Sequence, residues 1–205
     1  RGLDLGLRLH GIGEDPLANP SESLDSPAAR RELLVSNRED GGNAPVGRLL
    51  YHSDYMWRDD VFRLLSLYGL EVEQPTSPTM FVSAAHGWET LPADLRARVA
   101  GLCAIHGQDA SYFERSGGDA DVLVSKFEDK ETIRLPIAHR HPRTGAMLLF
   151  VTPQFTQRID GMSDADSEAL LGELFDHLYR PEAEVQHQWR EHDLVMWDNI
   201  ALQHA

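Results

Sequence analysis

Residues 49–57, LLYHSDYMW, set a histidine and an aspartate two positions apart inside a run of aromatic and aliphatic residues. A carboxylate is out of place there unless it has a partner, because burying an unpaired charge is costly. If the run is a strand, side chains alternate between its faces, so His52 and Asp54 point the same way and can share one metal ion. Spacing alone is weak support. With 10 His and 33 Asp plus Glu in 205 residues, chance supplies about one or two His-x-Asp/Glu matches. His52 and Asp54 are the only such pair in the sequence, and any third ligand must come from elsewhere.

At 205 residues and 23.0 kDa, 41% hydrophobic and 25% charged, the chain has the size of one globular domain with a sizeable core. We read residues 1–205 as that domain. A net charge of -14 and a pI near 5.0 argue against nucleic acid or an anionic membrane as the main partner, since both need clustered Lys and Arg. No apolar run approaches the length of a membrane span and no signal peptide is evident, so the expected location is cytoplasmic. A homo-oligomeric state is left open. The single cysteine, Cys103, can form no internal disulfide and is expected on the apolar face of a helix.

Residues 11–47 are rich in Gly, Pro, Ser, Asn and Asp and read mostly as loop, with RELLVSN the one strand-like run. LLYHSDYMW, FRLLSLYGLEV and TMFVSAA read as core strands. LPADLRARVAGLCAIHG sets Leu95, Val99, Leu102 and Ile105 at helical spacing, with Pro92 near its start and Gly107 past its end, which predicts one helix. Residues 107–131 are polar and read as a long flexible loop, either a lid or a plain surface insertion. ETIRLPIAHRHPRTGAMLLFVTP predicts two strands joined by a Pro-Arg-Thr-Gly turn. MSDADSEALLGELFDHLYRPE predicts a helix capped by Ser163, with Leu170, Leu171, Leu174, Phe175 and Leu178 as its buried stripe. The last run, VQHQWREHDLVMWDNIALQHA, alternates as a strand and then carries His204. Many short strands with two inserted helices predict a mainly β, double-sheet antiparallel fold.

The ending DLVMWDNIALQHA resembles the distal-histidine segment of the Fe(II)/2-oxoglutarate-dependent dioxygenases of the taurine dioxygenase family. In that family a Trp-Asp-Asn stretch precedes the second iron-binding histidine, here His204. HPRTGAMLLFVTPQFTQRI is similar to the family's His-Pro-x-x-Gly turn, strand and Phe-Thr-x-Arg-Ile run. With the His-x-Asp segment, the resemblance covers most of residues 49–205. It implies a double-stranded β-helix (jelly-roll) core and an oxidoreductase that uses Fe(II), 2-oxoglutarate and O2. His52, Asp54 and His204 would be the metal and catalytic triad, the facial two-histidine, one-carboxylate arrangement with open positions opposite.

The resemblance also places Thr79 at the 2-oxoglutarate carboxylate, although Ser77 and Pro78 stand where the family has glycines. It places Arg48, Tyr55, Trp57 and Phe155 around the substrate, with Arg48 where an asparagine is usual and with ordinary core packing as the alternative reading of the aromatics. No sulfonate-binding stretch is evident upstream, so the expected substrate is a larger organic molecule than taurine, such as a natural-product intermediate. Asp54 stands where halogenating relatives have a small residue, which points to hydroxylation or desaturation with release of succinate and CO2. A catalytically silent binding module and a zinc hydrolase are the alternatives. An intact triad argues against the first and the lack of a His-Glu-x-x-His helix against the second.

The remaining histidines read as structural. His139 and His141 precede Pro142 at a turn, His177 is expected on a helix surface, and His187 and His192 on a solvated strand edge. The sequence starts at Arg1 and ends one residue after His204, before the arginine that the family uses for the distal carboxylate of 2-oxoglutarate. The natural chain is therefore expected to extend at both ends. An end at Ala205 is expected to leave His204 on a frayed terminus.

Overall fold

The computed structural model describes residues 5–11, 32–35, 49–59, 61–108 and 129–205. Arg48 and most of the expected lid, residues 109–128, lie outside the described residues. Every strand pairing given for the described residues is antiparallel. β1 (Leu5–Gly11), β2 (Glu32–Val35), β3 (Leu64–Val72) and β11 (Leu194–Asp198) make one sheet in the order β11-β3-β1-β2. β4 (Thr79–Ser83), β10 (Glu184–His187) and β12 (Leu202–His204) make a second, β10-β4-β12. β5 (Cys103–Gln108), β6 (Asp129–Pro136) and β9 (Thr156–Ile159) make a third, β6-β5-β9, and β7 (Ala138–Arg140) pairs with β8 (Met147–Leu149). None of the described helices is long and apolar enough to cross a membrane.

Among the described residues three α-helices join the sheets: α1 (Ala84–Glu89), α2 (Ala93–Val99) and α3 (Asp164–Leu178). α3 begins where expected, the Ser163 hydroxyl accepting the Asp166 N–H at 3.2 Å. Its Leu170, Leu171, Leu174 and Leu178 are buried against Leu95 and Val99 of α2 and against Ala104, Ile137, Leu149, Val151 and Ile159. Phe175 is only partly buried at the border of this cluster. The hairpin turn also holds, with Ala138 opposite Leu149 and Gly145 at φ 75°, the left-handed region that favours glycine.

Three expectations are corrected. The helix read across residues 91–107 stops at Val99, because the chain turns at Ala100 and Gly101, the latter at φ 77°. Beyond it, Ala104 and His106 are buried on alternate positions of a strand, so Cys103 is a half-buried strand residue and Gly107 lies inside β5. A Cβ at Gly107 would stand 2.6 Å from Gln157 Nε2, and the missing side chain is what lets β5 pack there. The strand expected to run through Ala84 and Ala85 gives way to α1, because the Ser83 hydroxyl accepts the His86 N–H at 3.1 Å and caps a helix. His177 is buried, not exposed. Arg180 donates to its Nδ1 at 2.6 Å, so Nε2 carries the proton and donates to the Gly87 carbonyl at 2.9 Å, clamping α1 to α3.

Candidate metal centre

His204 lies on β12, opposite Phe81 of β4. Its other edge is taken by His52. The His52 N–H donates to the His204 carbonyl at 3.0 Å and the His204 N–H returns the bond at 2.9 Å. Ala205 exchanges two further backbone bonds with Met80, at 2.9 and 3.0 Å. The expected fraying of His204 is therefore not found, since its backbone is paired on both sides. This ladder sets the two imidazole rings 4.2 Å apart, centroid to centroid.

Asp54 reaches them by a route the strand reading did not foresee. Only His52 forms a β-bridge. Asp54 opens a turn in which Tyr55 sits at φ 57°, a conformation that ends an extended run. The backbone groups that a neighbouring strand would pair are taken by one side chain. Asn199 Oδ1 accepts the Asp54 N–H at 3.0 Å, and Asn199 Nδ2 donates to the Asp54 carbonyl at 2.9 Å and to the Phe62 carbonyl at 3.0 Å. Asn199 is wholly buried. Each residue of the Trp-Asp-Asn stretch thus has a task. Trp197 packs its ring 4.9 Å from that of His204. Asp198 accepts the N–H groups of Ile200 and Ala201 at 3.1 and 3.2 Å.

His141 is the partner of Asp198, at 3.1 Å from Nε2. Its Nδ1 accepts the N–H groups of Arg143 and Thr144, so Nε2 bears the proton and the ring serves as a structural tie. His139 stacks on Phe150 at 4.8 Å. His187, on the outer strand of its sheet, faces Asp193 at 3.1 Å, and His192 is exposed. His139, His141 and His187 keep the structural roles read for them, whereas His192 sits in a turn at φ 69° and not on a strand edge.

At the centre, His52 Nε2 is 3.4 Å from Asp54 Oδ1 and His204 Nε2 is 3.8 Å from Asp54 Oδ2. The three ligand atoms all lie within 4.8 Å of one another. These separations exceed a good hydrogen bond and suit donors that share one cation at about 2.0–2.2 Å each. His52 Nδ1 is 2.7 Å from the Leu50 carbonyl. A carbonyl only accepts, so Nδ1 bears a proton, and Nε2 is the nitrogen that faces Asp54. Burial, with His52 beside it, pushes His204 down to about 3 despite the opposing pull of Asp54, so its ring is neutral. Burial alone would raise the Asp54 carboxyl, but His52 and His204 outweigh it and hold it below the usual range. Two imidazole Nε2 atoms and one carboxylate, partly to fully buried, form a donor set that fits a divalent cation.

Thr79, Phe155, Trp57 and Tyr55 connect to this centre through chains of neighbouring side chains. Thr79 begins β4 two positions before Phe81, on the same face, and Phe81 stacks on His204 at 6.2 Å. Thr79 is buried and its Oγ1 accepts the Trp189 indole N–H at 2.9 Å, so its hydroxyl proton is directed elsewhere. Phe155 stands edge-on to His52 at 5.6 Å, Trp57 packs on Phe155 at 4.4 Å, and Tyr55 stacks on Trp57 at 5.2 Å. Trp57 and Phe155 belong to a buried cluster with Met56, Ala84, Leu148, Phe150 and Ile200, which makes them a wall beside the metal ligands.

The profile of the family described as "Taurine catabolism dioxygenase TauD, TfdA family" matches residues 9–205, and the chain belongs to that family. Pentalenolactone F synthase of Streptomyces avermitilis is 30% identical over 203 residues, covering 88% of this chain and 64% of that protein. Alpha-ketoglutarate-dependent 2,4-dichlorophenoxyacetate dioxygenase of Cupriavidus pinatubonensis is 30% identical over 182 residues, 89% of this chain and 60% of the relative. The chain thus spans less than two thirds of either relative. Among solved structures, a taurine dioxygenase from Burkholderia xenovorans superposes with a TM-score of 0.63 at 29% identity, over 75% of this chain and 49% of that one. AAD-2 in complex with Mn(II) and N-oxalylglycine gives 0.62 at 27%, over 76% and 53%. The fold is accordingly the mainly β jelly roll of this family, with inserted helices.

Proposed function

We propose that His52, Asp54 and His204 hold one Fe(II) and that the protein is a 2-oxoglutarate-dependent oxygenase of a small organic substrate. The observation that carries this reading is the convergence of two imidazole Nε2 atoms on one carboxylate, at 3.4 and 3.8 Å, from segments about 150 residues apart. Iron in such a site supplies the redox chemistry that couples decarboxylation of 2-oxoglutarate by O2 to hydroxylation or desaturation of the substrate, releasing succinate and CO2. The chain's own residues bind and orient. His52, Asp54 and His204 would hold the cation. Thr79, its lone pair engaged by Trp189, has its hydroxyl proton to donate to a carboxylate of 2-oxoglutarate. Phe155, Trp57 and Tyr55 supply aromatic surface that excludes water and suits an apolar substrate larger than taurine.

The pentalenolactone and dichlorophenoxyacetate relatives, named for larger organic molecules, support that substrate class. Protein loaded anaerobically with Fe(II) and 2-oxoglutarate and then exposed to O2 is expected to form succinate. 2,4-Dichlorophenoxyacetate and other aryloxy acids should accelerate it more than taurine does. Asp54→Ala should abolish turnover while leaving the domain folded. Full activity of that variant refutes the metal site, and rapid taurine-dependent succinate formation with sulfite release refutes the substrate class.

A further inference from the structure

The two histidines that face Asp54 are oriented differently. His52 Nδ1 is 2.7 Å from the Leu50 carbonyl, whereas His204 Nδ1 is buried and has no hydrogen-bond partner among the described residues. A ligand imidazole is set by the bond its second nitrogen makes, so the Leu50 carbonyl decides how His52 presents Nε2. Leu50 belongs to no strand or helix, and no sheet ladder aims that carbonyl. Its own amide is held instead by a side chain 104 residues away, Gln154, whose Oε1 accepts the Leu50 N–H at 3.1 Å. Gln154 is buried in the turn that leads into β9. The next residue, Phe155, is the one whose ring stands edge-on to His52. One turn therefore touches His52 twice, by a ring against the imidazole and by a side chain that fixes the backbone two residues before it.

We propose that Gln154 is a positioning residue for the metal: by holding the Leu50 amide it aims the Leu50 carbonyl at His52 Nδ1, selects the Nδ1–H tautomer and presets Nε2 for the cation. The proposal rests on the metal reading above. Gln154 touches neither the cation nor the co-substrate in this scheme. It acts through Leu50, so its effect belongs in metal affinity and in the state of the His52 ring, not in overall stability alone.

The test uses Mn(II) as the probe, titrated calorimetrically into the metal-free protein, together with nitrogen-15 NMR of the histidine rings. Metal-free wild type should show His52 as the Nδ1–H tautomer. Gln154→Met keeps the length of the side chain and removes the acceptor, and its Mn(II) Kd should rise about tenfold, the lower end of the effect of outer-shell changes. Gln154→Glu restores an acceptor oxygen and should stay within about threefold of wild type on the same basis. Three results would each overturn the proposal: a wild-type Kd in Gln154→Met, a Gln154→Glu protein as weak as Gln154→Met, or His52 as the Nε2–H tautomer. The tautomer measurement is made on wild type and stands even if the methionine variant does not fold. Absence of Mn(II) binding by wild type would defeat the metal reading itself. Binding that is lost in Asp54→Ala but unchanged in Gln154→Met would defeat only the role of Gln154.

Discussion

Around α3, four leucines from successive turns meet apolar side chains of α2, β5, β8 and β9, and the principal polar link to α1 is the His177 clamp onto Gly87. Around Asp54 the balance is reversed. A buried Asn199, the paired backbones of His52 and His204, and the Gln154 contact to Leu50 hold the ligands through directed bonds between segments 104 to 152 residues apart. The first region derives its stability from area removed from water, which tolerates small displacements. The second derives geometry from hydrogen bonds, which fix position within tenths of an ångström. A cofactor site needs the second kind of support more than the first.

The two regions should therefore fail in different ways. Leu174→Ala, at a side chain with no exposure, should lower stability by about 2–5 kcal/mol yet leave the Mn(II) affinity of the folded protein unchanged; denaturant unfolding and calorimetry together check this. Asn199→Ala should cost on the order of 2–3 kcal/mol by stranding buried partners, and in addition weaken Mn(II) binding roughly 10–100-fold. A loss of stability without a loss of affinity would erase the contrast between the regions.

The next effect is pH dependence. Burial, with a smaller contribution from nearby His139, pushes His106 from 6.5 down to about 3. The unfolded chain then takes up the proton first. The stability that this neutral ring preserves is complete above about pH 6.5 and is lost as pH falls toward 3. Metal-free protein should lose on the order of 2 kcal/mol from this residue between pH 7 and pH 5, and His106→Gln should make the decline shallower. An unchanged slope in that variant would show that other groups carry it. The smallest effect is at the helix cap: Ser163→Ala should cost about 1 kcal/mol without moving metal affinity.

The same contrast explains what could be read from the sequence. α3 was legible because its stripe repeats within one element and Ser163 marks its start. His177 could have been placed by the same pattern, since it falls three residues after Leu174 beside Leu178. The region of residues 91–107 misled because Leu102 and Ile105 continue the spacing of Leu95 and Val99 across Gly101, and a local period does not report a chain reversal. His52, Asp54 and His204 were legible as a set from the His-x-Asp spacing joined to the Trp-Asp-Asn segment. The strand given to Asp54 was not, because the residue that lifts it out of the ladder, Asn199, lies 145 positions away. Gln154 left no local trace for the same reason.

The central claim is that one divalent cation sits among His52, Asp54 and His204. Anomalous diffraction from crystals grown with Mn(II) tests it most directly. One strong peak is predicted within bonding reach of both Nε2 atoms and the Asp54 carboxylate, and it should be absent in Asp54→Ala. An empty centre in wild type, with the peak instead at His139 and His141, would contradict the account.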